Sequence, residues 1–174
     1  MNGFVKVRLQ SLLSKTSISS AKEPDFISKS KVLILSPHYD DDVLCCFGAM
    51  MKHVQQGSQI HILYITDGSA SQNSGLDSDE LCKIRKKEAE NALFMYFPTV
   101  LPMYYNKKDS EFISSEEDIF RFSELLEKEK YNYIYCPSII DTHSDHKQTY
   151  NLLKQTLKKN FFIVLFIFMS FGIL

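Results

Sequence analysis

Short apolar runs alternate with amphipathic stretches along most of the chain. Mostly apolar runs at residues 32–35, 60–66 and 131–136 each end at a proline or an Asp-Gly pair, which is typical of strands buried in a sheet. A weaker strand candidate covers residues 99–105, because Pro102 lies inside it. Helical spacing of apolar residues and cap-like Asp and Ser residues predict four helices, at 42–56, 77–96, 114–130 and, after a loop at 141–146, up to about residue 159.

The strand–helix order repeats four times, and the apolar tail supplies a fifth strand candidate. This alternation predicts an α/β fold, a three-layer sandwich whose mostly parallel sheet carries helices on both faces. The domain spans residues 31–160 and follows a Ser-rich N-terminal extension at residues 1–30. Residues 161–174 are almost wholly apolar. Since this tail is shorter than the roughly 17–25 residues of a membrane-spanning helix, we favour a terminal strand over contact with a membrane.

Composition narrows the possible functions. The chain has 174 residues and a net charge of −1, which suits one globular domain and provides no bulk attraction to nucleic acid. Its four cysteines form no CxxC pair, which favours reduced thiols and an intracellular protein. The first twenty residues contain no apolar stretch long enough for a secretory signal, so the expected location is the cytoplasm.

Two short segments concentrate the side chains that bind metals, and each follows a predicted strand. The first reads Ser-Pro-His-Tyr-Asp-Asp-Asp at residues 36–42, and the second reads Asp-Thr-His-Ser-Asp-His at residues 141–146. In open parallel sheets, sites form at the carboxyl ends of strands where the winding direction reverses. If the fourth strand returns to lie beside the first, the two segments meet in one crevice.

The histidines fall into two groups. His38, His143 and His146 lie within the two acidic clusters, whereas His53 and His61 lie elsewhere and are expected to be ordinary polar surface residues. Two imidazoles and one carboxylate leave a coordination position open, as in a catalytic zinc site. Ferrous iron accepts the same ligands, so both metals remain candidates.

The adjacent carboxylates of the first segment need not share one role. Packed carboxylates repel one another unless a cation compensates them, which indicates a metal site. Asp42 is expected to cap the following helix. Asp40 and Asp41 diverge on their loop, so one can bind the metal while the other accepts a proton from the attacking water. With a histidine near the developing oxyanion, this set would make an amide hydrolase.

These residues resemble the PIG-L/LmbE-like deacetylases. Residues 37–42 are similar to the family's Pro-His-Pro-Asp-Asp-Glu motif, and residues 143–146 to its His-Pro-Asp-His motif. Thr-Asp-Gly at residues 66–68 and Arg85 with a following Glu-Ala also match. The resemblance implies a Rossmann-like fold and removal of the N-acetyl group from an N-acetylglucosamine conjugate. A glycolipid, a polysaccharide precursor or a small-thiol glycoside would qualify as this small-molecule amino-sugar partner.

The resemblance also implies a metal centre and a general base. In the family, the histidine and second aspartate of the first motif bind zinc together with the last histidine of the second motif. On this chain these ligands are His38, Asp41 and His146. The first aspartate of the pair is the general base, here Asp40.

Three further roles follow from the same resemblance. His143 would assist the oxyanion or the leaving group, Asp145 would orient His143, and Arg85 would contact the substrate. The sequence departs from the family where Cys45 and Phe47 replace glycines. Phe47 is expected to crowd the helix against the sheet or to narrow the pocket.

Two other functions remain open from the sequence. Members of the resembled family continue well beyond the second motif, so this chain could be a truncated, non-catalytic protein that binds metal or sugar without turnover. A receiver-type phosphoacceptor also places aspartates at the end of its first strand, with magnesium. That alternative leaves His38, His143 and His146 unexplained and ranks last.

Overall fold

A computed structural model describes residues 27–70, 75–159 and 165–169, the last of these as backbone only. Its five strands are β1 (Lys31–Ser36), β2 (Gln59–Thr66), β3 (Leu101–Lys107), β4 (Tyr133–Pro137) and β5 (Leu165–Met169). All pairings among them are parallel, in the order β3-β2-β1-β4-β5. The predicted parallel sheet is therefore confirmed, and its strand order is that of a Rossmann-like fold.

Helices cover both faces of the sheet. They are α1 (Asp41–Gln55), α2 (Ser78–Tyr96), α3 (Glu116–Glu129) and α4 (Ser144–Lys159). Even-numbered residues of β1, such as Val32, pack with α1 and α2 on one face. Odd-numbered residues, such as Leu33, pack with α3 and α4 on the other. This alternation gives the predicted three layers.

The centre of the sheet brings the two metal-binding segments together. β1 pairs with β2 on one side and with β4 on the other, so that Val32 lies between Ile60 and Tyr133. The predicted return of the fourth strand to the side of the first is confirmed. Both segments therefore follow the carboxyl ends of two adjacent parallel strands, β1 and β4, and lie at the same end of these strands.

Several element boundaries differ from the predictions. The N-cap of α3 is Ser115, which forms a capping box with Asp118, so α3 begins at Glu116 rather than at the predicted residue 114. α4 begins at Ser144, so His146 lies in a helix rather than in the predicted loop. Pro102 is tolerated because β3 is an edge strand of the described sheet. An edge strand has no partner strand on its outer side, so the N–H that proline lacks is not needed for pairing there.

The predictions for the two ends of the chain fall largely outside the described residues. Residues 1–26, which make up most of the expected extension, are not described. Within the apolar tail, residues 165–169 form β5 against β4. Among the described residues, no helix is both long and apolar enough to cross a membrane.

The prediction that His53 and His61 are surface residues was wrong. Both are buried, and each has a ring nitrogen near a tyrosine hydroxyl: His53 Nε2 lies 2.9 Å from Tyr135 Oη, and His61 Nδ1 lies 2.7 Å from Tyr131 Oη. These partners satisfy one nitrogen of each neutral ring, which makes burial possible. Burial lowers the pKa of His53 to about 4 and also lowers that of His61.

The depressed pKa of His53 predicts a loss of stability in mild acid. The unfolded chain takes up a proton near pH 6.5, whereas folded His53 stays neutral until about pH 4. The folded state therefore loses stability relative to the unfolded chain as the pH falls from 6.5 toward 4. Above pH 6.5, His53 causes no such loss. Between pH 7.5 and 5 this amounts to about 2 kcal/mol of unfolding free energy. Urea unfolding of wild type and His53→Gln should show a flatter pH dependence in the variant, and parallel curves would contradict this account.

Candidate metal centre and catalytic site

The strand-end serine of β1 shapes the first segment. Ser36 Oγ donates to the carbonyl of His38 at 2.8 Å and accepts the backbone N–H of Asp42 at 3.0 Å. The backbone N–H of His38 in turn donates to Asp41 Oδ2 at 2.9 Å. These bonds fold the turn so that the Asp41 side chain, in the first turn of α1, points back toward the imidazole of His38.

The two predicted imidazole ligands converge on one oxygen of the predicted carboxylate ligand. Asp41 Oδ2 lies 3.2 Å from His38 Nδ1 and 3.3 Å from His146 Nε2. Tetrahedral zinc with bonds of about 2.0–2.1 Å separates its ligand atoms by roughly 3.3 Å. The donor types and the two spacings to Asp41 Oδ2 therefore fit a zinc ion. Each pair is also close enough to share a proton, which a bound ion would replace.

The carboxylates and imidazoles of this cluster stabilise each other's charged forms. Burial opposes the charge of Asp41, but contacts with His146 and His38 outweigh it and hold the pKa of Asp41 well below its ordinary value. Burial also opposes charge on His38, but bonds with Asp109 and Asp41 raise its pKa to about 10. The pKa of His146 is raised in the same way, by Asp41 and Asp141 against burial. The carboxylates thus create a strongly cation-attracting site.

The outer nitrogen of each converging imidazole faces a second carboxylate. His146 Nδ1 lies 2.8 Å from Asp141 Oδ2. His38 Nε2 lies 3.2 Å from Asp145 Oδ2 and 3.6 Å from Asp109 Oδ1. A carboxylate on the far nitrogen fixes the tautomer and orientation of a metal-binding histidine. Both rings are therefore held with the inner nitrogen directed toward Asp41.

Asp145 has a different neighbour from the one predicted. Its carboxylate is fully buried and accepts the backbone N–H of Ser110 at 2.9 Å while contacting His38. Toward His143 it offers only its backbone N–H, 3.3 Å from Nδ1. Residues two apart at the start of a helix point in different directions, which accounts for the difference. Asp145 Oδ1 is buried without a hydrogen-bond partner among the described residues.

This contact predicts that Asp145 supports metal binding through His38. Asp145→Asn removes the charge that holds the proton on Nε2, so affinity for zinc should fall about 10- to 100-fold. Competition with a chromophoric chelator measures this affinity without any substrate. Asp118→Asn is the matched control, since that buried carboxylate contacts Lys107 and Ser115. Equal zinc affinities in both variants and wild type would show that Asp145 does not position His38.

Asp40 and His143 lie on the open side of the cluster. Both are exposed. Potential ligand atoms of Asp40 lie within 4.8 Å of those of His38 and Asp41, and the same limit joins His143 to His38 and His146. The ring of His143 is 4.8 Å from that of His38, edge to face. The structure therefore brings both predicted catalytic residues beside the predicted metal ligands.

Arg85 braces the neighbouring loop as well as bordering the site. Its Nη1 donates to the carbonyl oxygens of Gly68 at 2.9 Å and Ala70 at 3.1 Å, and lies 3.6 Å from Asp109 Oδ2. Gly68 has a φ of +66°, and a Cβ there would lie 2.8 Å from the ring of Tyr39. A glycine is therefore required where Arg85 and Tyr39 meet the chain.

Three residues of the site had no role in the sequence prediction. Asp109 is buried, accepts the backbone N–H of Ala70 at 3.1 Å and faces His38, and Ser110 holds Asp145. Both follow β3, at the same edge of the sheet as the two motifs. The position of Asp109 just after a strand was the available signal, and the proline inside that strand weakened it. Asp141 lies within the second segment, but its pairing with His146 needs the helix geometry.

The expectation that Asp42 caps α1 was wrong. The N-cap is Asp40, and the Asp42 carboxylate is fully buried in the first turn. Tyr64 Oη donates to Asp42 Oδ2 at 2.8 Å, and burial raises the pKa of Asp42 to about 6. Asp42 therefore anchors α1 to β2 rather than facing solvent.

A cavity of about 510 Å³ opens beside the cluster. Its lining combines catalytic candidates, residues from the loops after β2 and β3, and side chains of α1 and α2. They are His38, Tyr39, Asp40, Val43, Ala70, Arg85, Glu88, Ala89, Ala92, Asp109, Ser110 and His143. A small molecule in this cavity would touch Asp40 and His143 directly.

Comparisons with known proteins agree with this geometry. The family model for PIG-L, described as GlcNAc-PI de-N-acetylase, matches residues 33–157. Among solved structures, N,N'-diacetylchitobiose deacetylase from Pyrococcus horikoshii is 27% identical with a TM-score of 0.68, and the match covers 74% of this chain and 49% of that protein. A search of curated proteins finds no significant match.

Two more distant structures share the fold. GalB, the 4-carboxy-2-hydroxymuconate hydratase from Pseudomonas putida KT2440, is 18% identical with a TM-score of 0.66, over 73% of this chain and 55% of that one. The zinc-inhibited form of teicoplanin deacetylase Orf2 is 17% identical with a TM-score of 0.61, over 75% and 64%. The chain thus spans about half to just under two thirds of the length of these three proteins.

Proposed function

The chain belongs to the PIG-L family, as its motifs predicted, and from this premise we propose that it hydrolyses the N-acetyl group of an N-acetylglucosamine-containing conjugate. The observation that carries the proposal is the convergence of two imidazoles and a carboxylate beside a cavity that Asp40 and His143 line. The deacetylase from Pyrococcus horikoshii, at 27% identity, supports the same reaction class. The substrate would be a glycolipid, a polysaccharide precursor or a small-thiol glycoside.

His38, Asp41 and His146 would hold the metal, with zinc as the first candidate and ferrous iron as the second. When bound, zinc would polarise the acetyl carbonyl and lower the pKa of a water molecule. Asp141 and Asp145 would keep the two imidazoles in the orientation that binding needs. Asp41, His146 and Asp145 are buried, so these groups would be shielded from competing solvent.

Asp40 would act as the general base and then as the acid. Its exposed carboxylate borders the cavity beside the ligand cluster. It would accept a proton from the water that attacks the acetyl carbon, and pass it to the amide nitrogen as the C–N bond breaks. The products would be acetate and the free amino sugar. This role needs a carboxylate that is not itself committed to the metal.

His143 and Arg85 would complete the site. His143 lines the same cavity as Asp40, and an imidazole N–H there could donate to the oxygen that gains negative charge. Arg85 would contact the sugar through the guanidinium N–H groups that do not bind the loop carbonyls. Its bonds to Gly68 and Ala70 would keep the loop after β2 in place while the substrate binds.

Metal dependence provides a direct test. Protein stripped with a chelator should release no amine from methyl N-acetyl-β-glucosaminide, and activity should return in proportion to added zinc, levelling off at one ion per chain. Magnesium should not substitute, because it prefers oxygen ligands to imidazoles. Amine release is measured with a fluorogenic amine reagent. Activity that survives complete removal of metal would contradict the proposed metal role.

A further inference from the structure

The catalytic cavity continues away from the metal centre between α1 and α2. On α1, Asp40 and Val43 line it, and on α2, Arg85, Glu88, Ala89 and Ala92 line it. These spacings of three and four residues place each set on one face of its helix. The two helices therefore form facing walls, which we call the α1–α2 cleft.

The walls of the cleft change from polar to apolar along its length. The end near the metal centre carries Asp40 and Arg85, and Arg85 is bonded to the loops of the site. Ala92 follows Arg85 by seven residues, which is about 10 Å along a helix axis. At that end Val43, Ala89 and Ala92 present small aliphatic surfaces, of which Ala89 is buried and the other two half-buried. Glu88 lies one turn before Ala92 on the same wall and is exposed. A solute there would therefore meet hydrocarbon from the three aliphatic side chains, with one carboxylate beside them.

An aromatic contact lies just beyond the far end of the cleft. Phe47 lies one turn beyond Val43 on α1, and Tyr96 lies one turn beyond Ala92 on α2. Their ring centroids are 5.6 Å apart, and Phe47 also contacts Phe97 at 5.1 Å. Edge-to-face packing of this kind joins the two helices one turn beyond the residues that line the cleft. The Phe47 ring, 36% exposed, is therefore placed to limit how far a bound chain can extend.

We propose that the α1–α2 cleft binds a short apolar chain carried by the amino sugar, and that Phe47 limits the length of that chain. The inference rests on the proposed function, since the sugar must present its acetamide to Asp40. The chain has two possible points of attachment: the glycosidic oxygen, or an acyl group longer than acetyl on the nitrogen. Each methylene buried against Val43, Ala89 and Ala92 should improve binding about three- to four-fold.

The test compares substrates that differ only in an apolar chain. For the zinc-loaded protein, hexyl N-acetyl-β-glucosaminide should exceed the methyl glycoside in kcat/KM by at least about ten-fold. The decyl glycoside, kept below its micelle concentration, should gain nothing more. Methyl N-hexanoyl-β-glucosaminide forms the second arm: a gain confined to it would assign the cleft to the acyl chain instead.

Two variants address the walls. Ala92→Leu keeps a strong helix former and fills the cleft, so the hexyl-to-methyl ratio of kcat/KM should fall at least about five-fold. Phe47→Ala opens the far end, so the decyl glycoside should become better than the hexyl glycoside. Met95→Leu is the control on the same helix, because Met95 is 70% exposed, and its ratios should match wild type.

The outcomes separate this inference from the proposed function. Equal kcat/KM for all chain lengths in wild type would overturn the cleft while leaving deacetylation in place. If no substrate is hydrolysed, the proposed function fails, and calorimetry with hexyl and methyl β-glucoside decides the cleft. Tighter binding of the hexyl glucoside that Ala92→Leu removes would support it. Equal binding of the two glucosides would overturn it.

Discussion

Replacing His146 by alanine is expected to abolish stable zinc binding. His146 is buried, and its Nε2 lies 3.3 Å from Asp41 Oδ2 while Asp141 holds its Nδ1 at 2.8 Å. Alanine removes one of the three proposed protein ligands and leaves Asp141 without that partner. The loss of affinity should exceed the roughly 100-fold that removal of a supporting residue costs. Metal analysis after dialysis should find one zinc per wild-type chain and almost none per variant chain.

His143→Ala is the matched control for this prediction. His143 is exposed and lies beside the cluster, with its ring centroid 5.2 Å from that of His146. As an oxyanion donor it should be needed for turnover and not for metal retention. The variant should therefore keep its zinc and lose activity. Zinc retained by His146→Ala and lost by His143→Ala would reverse the assignment of the two histidines.

Asp40→Asn is expected to lower kcat about 10²- to 10⁴-fold while zinc stays bound at one ion per chain. Asparagine has nearly the shape of aspartate but accepts no proton, so the attacking water would lose its base. Asp40 is exposed, whereas the proposed ligands Asp41 and His146 are buried and His38 is half-buried. The measurement is single-substrate kinetics together with metal analysis of the same sample.

Asp79→Asn provides the comparison for Asp40→Asn. Asp79 is an exposed carboxylate in the first turn of α2. The same change of charge there should leave both kcat and zinc content at the wild-type level. If Asp40→Asn also kept full activity, the proton transfer would belong to another group.

Periodicity in the sequence was sufficient for most of the fold. The apolar runs at β1, β2 and β4 are buried in the sheet, and their alternation with helices allows few topologies. In the Rossmann-like strand order, the two strands that precede the motifs are neighbours. This is why His38, Asp41 and His146 could be placed together before any coordinates were known.

The supporting residues could not be predicted in the same way. Asp109 joins the site through a backbone turn in which two residues have positive φ: Asn106 near the end of β3 and Ser110 in the loop after it. A non-glycine residue in that conformation gives little warning in a sequence. Asp145 lies in a motif, but whether its carboxylate faces His38 or His143 depends on where α4 begins. If α4 began one turn earlier or later, the Asp145 carboxylate would point in a different direction.

The buried histidines show another limit of sequence patterns. His53 and Tyr135 are 82 residues apart, and His61 and Tyr131 are 70 apart. His53 lies on α1 and Tyr135 on β4, whereas His61 lies on β2 and Tyr131 just before β4, so each pair meets only in the folded sheet. The sequence around a lone histidine therefore does not show whether a buried hydroxyl will lie within hydrogen-bonding distance of its ring.

The fold by itself does not specify the reaction, since a hydratase shares it at 18% identity. The reaction must therefore be identified from its products. The most direct measurement is the release of acetate and free amine from methyl N-acetyl-β-glucosaminide by the zinc-loaded protein, with Asp40→Asn beside it. We predict equal amounts of acetate and amine from wild type and almost none from the variant. One zinc bound per chain with no acetate from any N-acetylglucosamine conjugate would contradict the account and indicate a protein that binds metal or sugar without turnover.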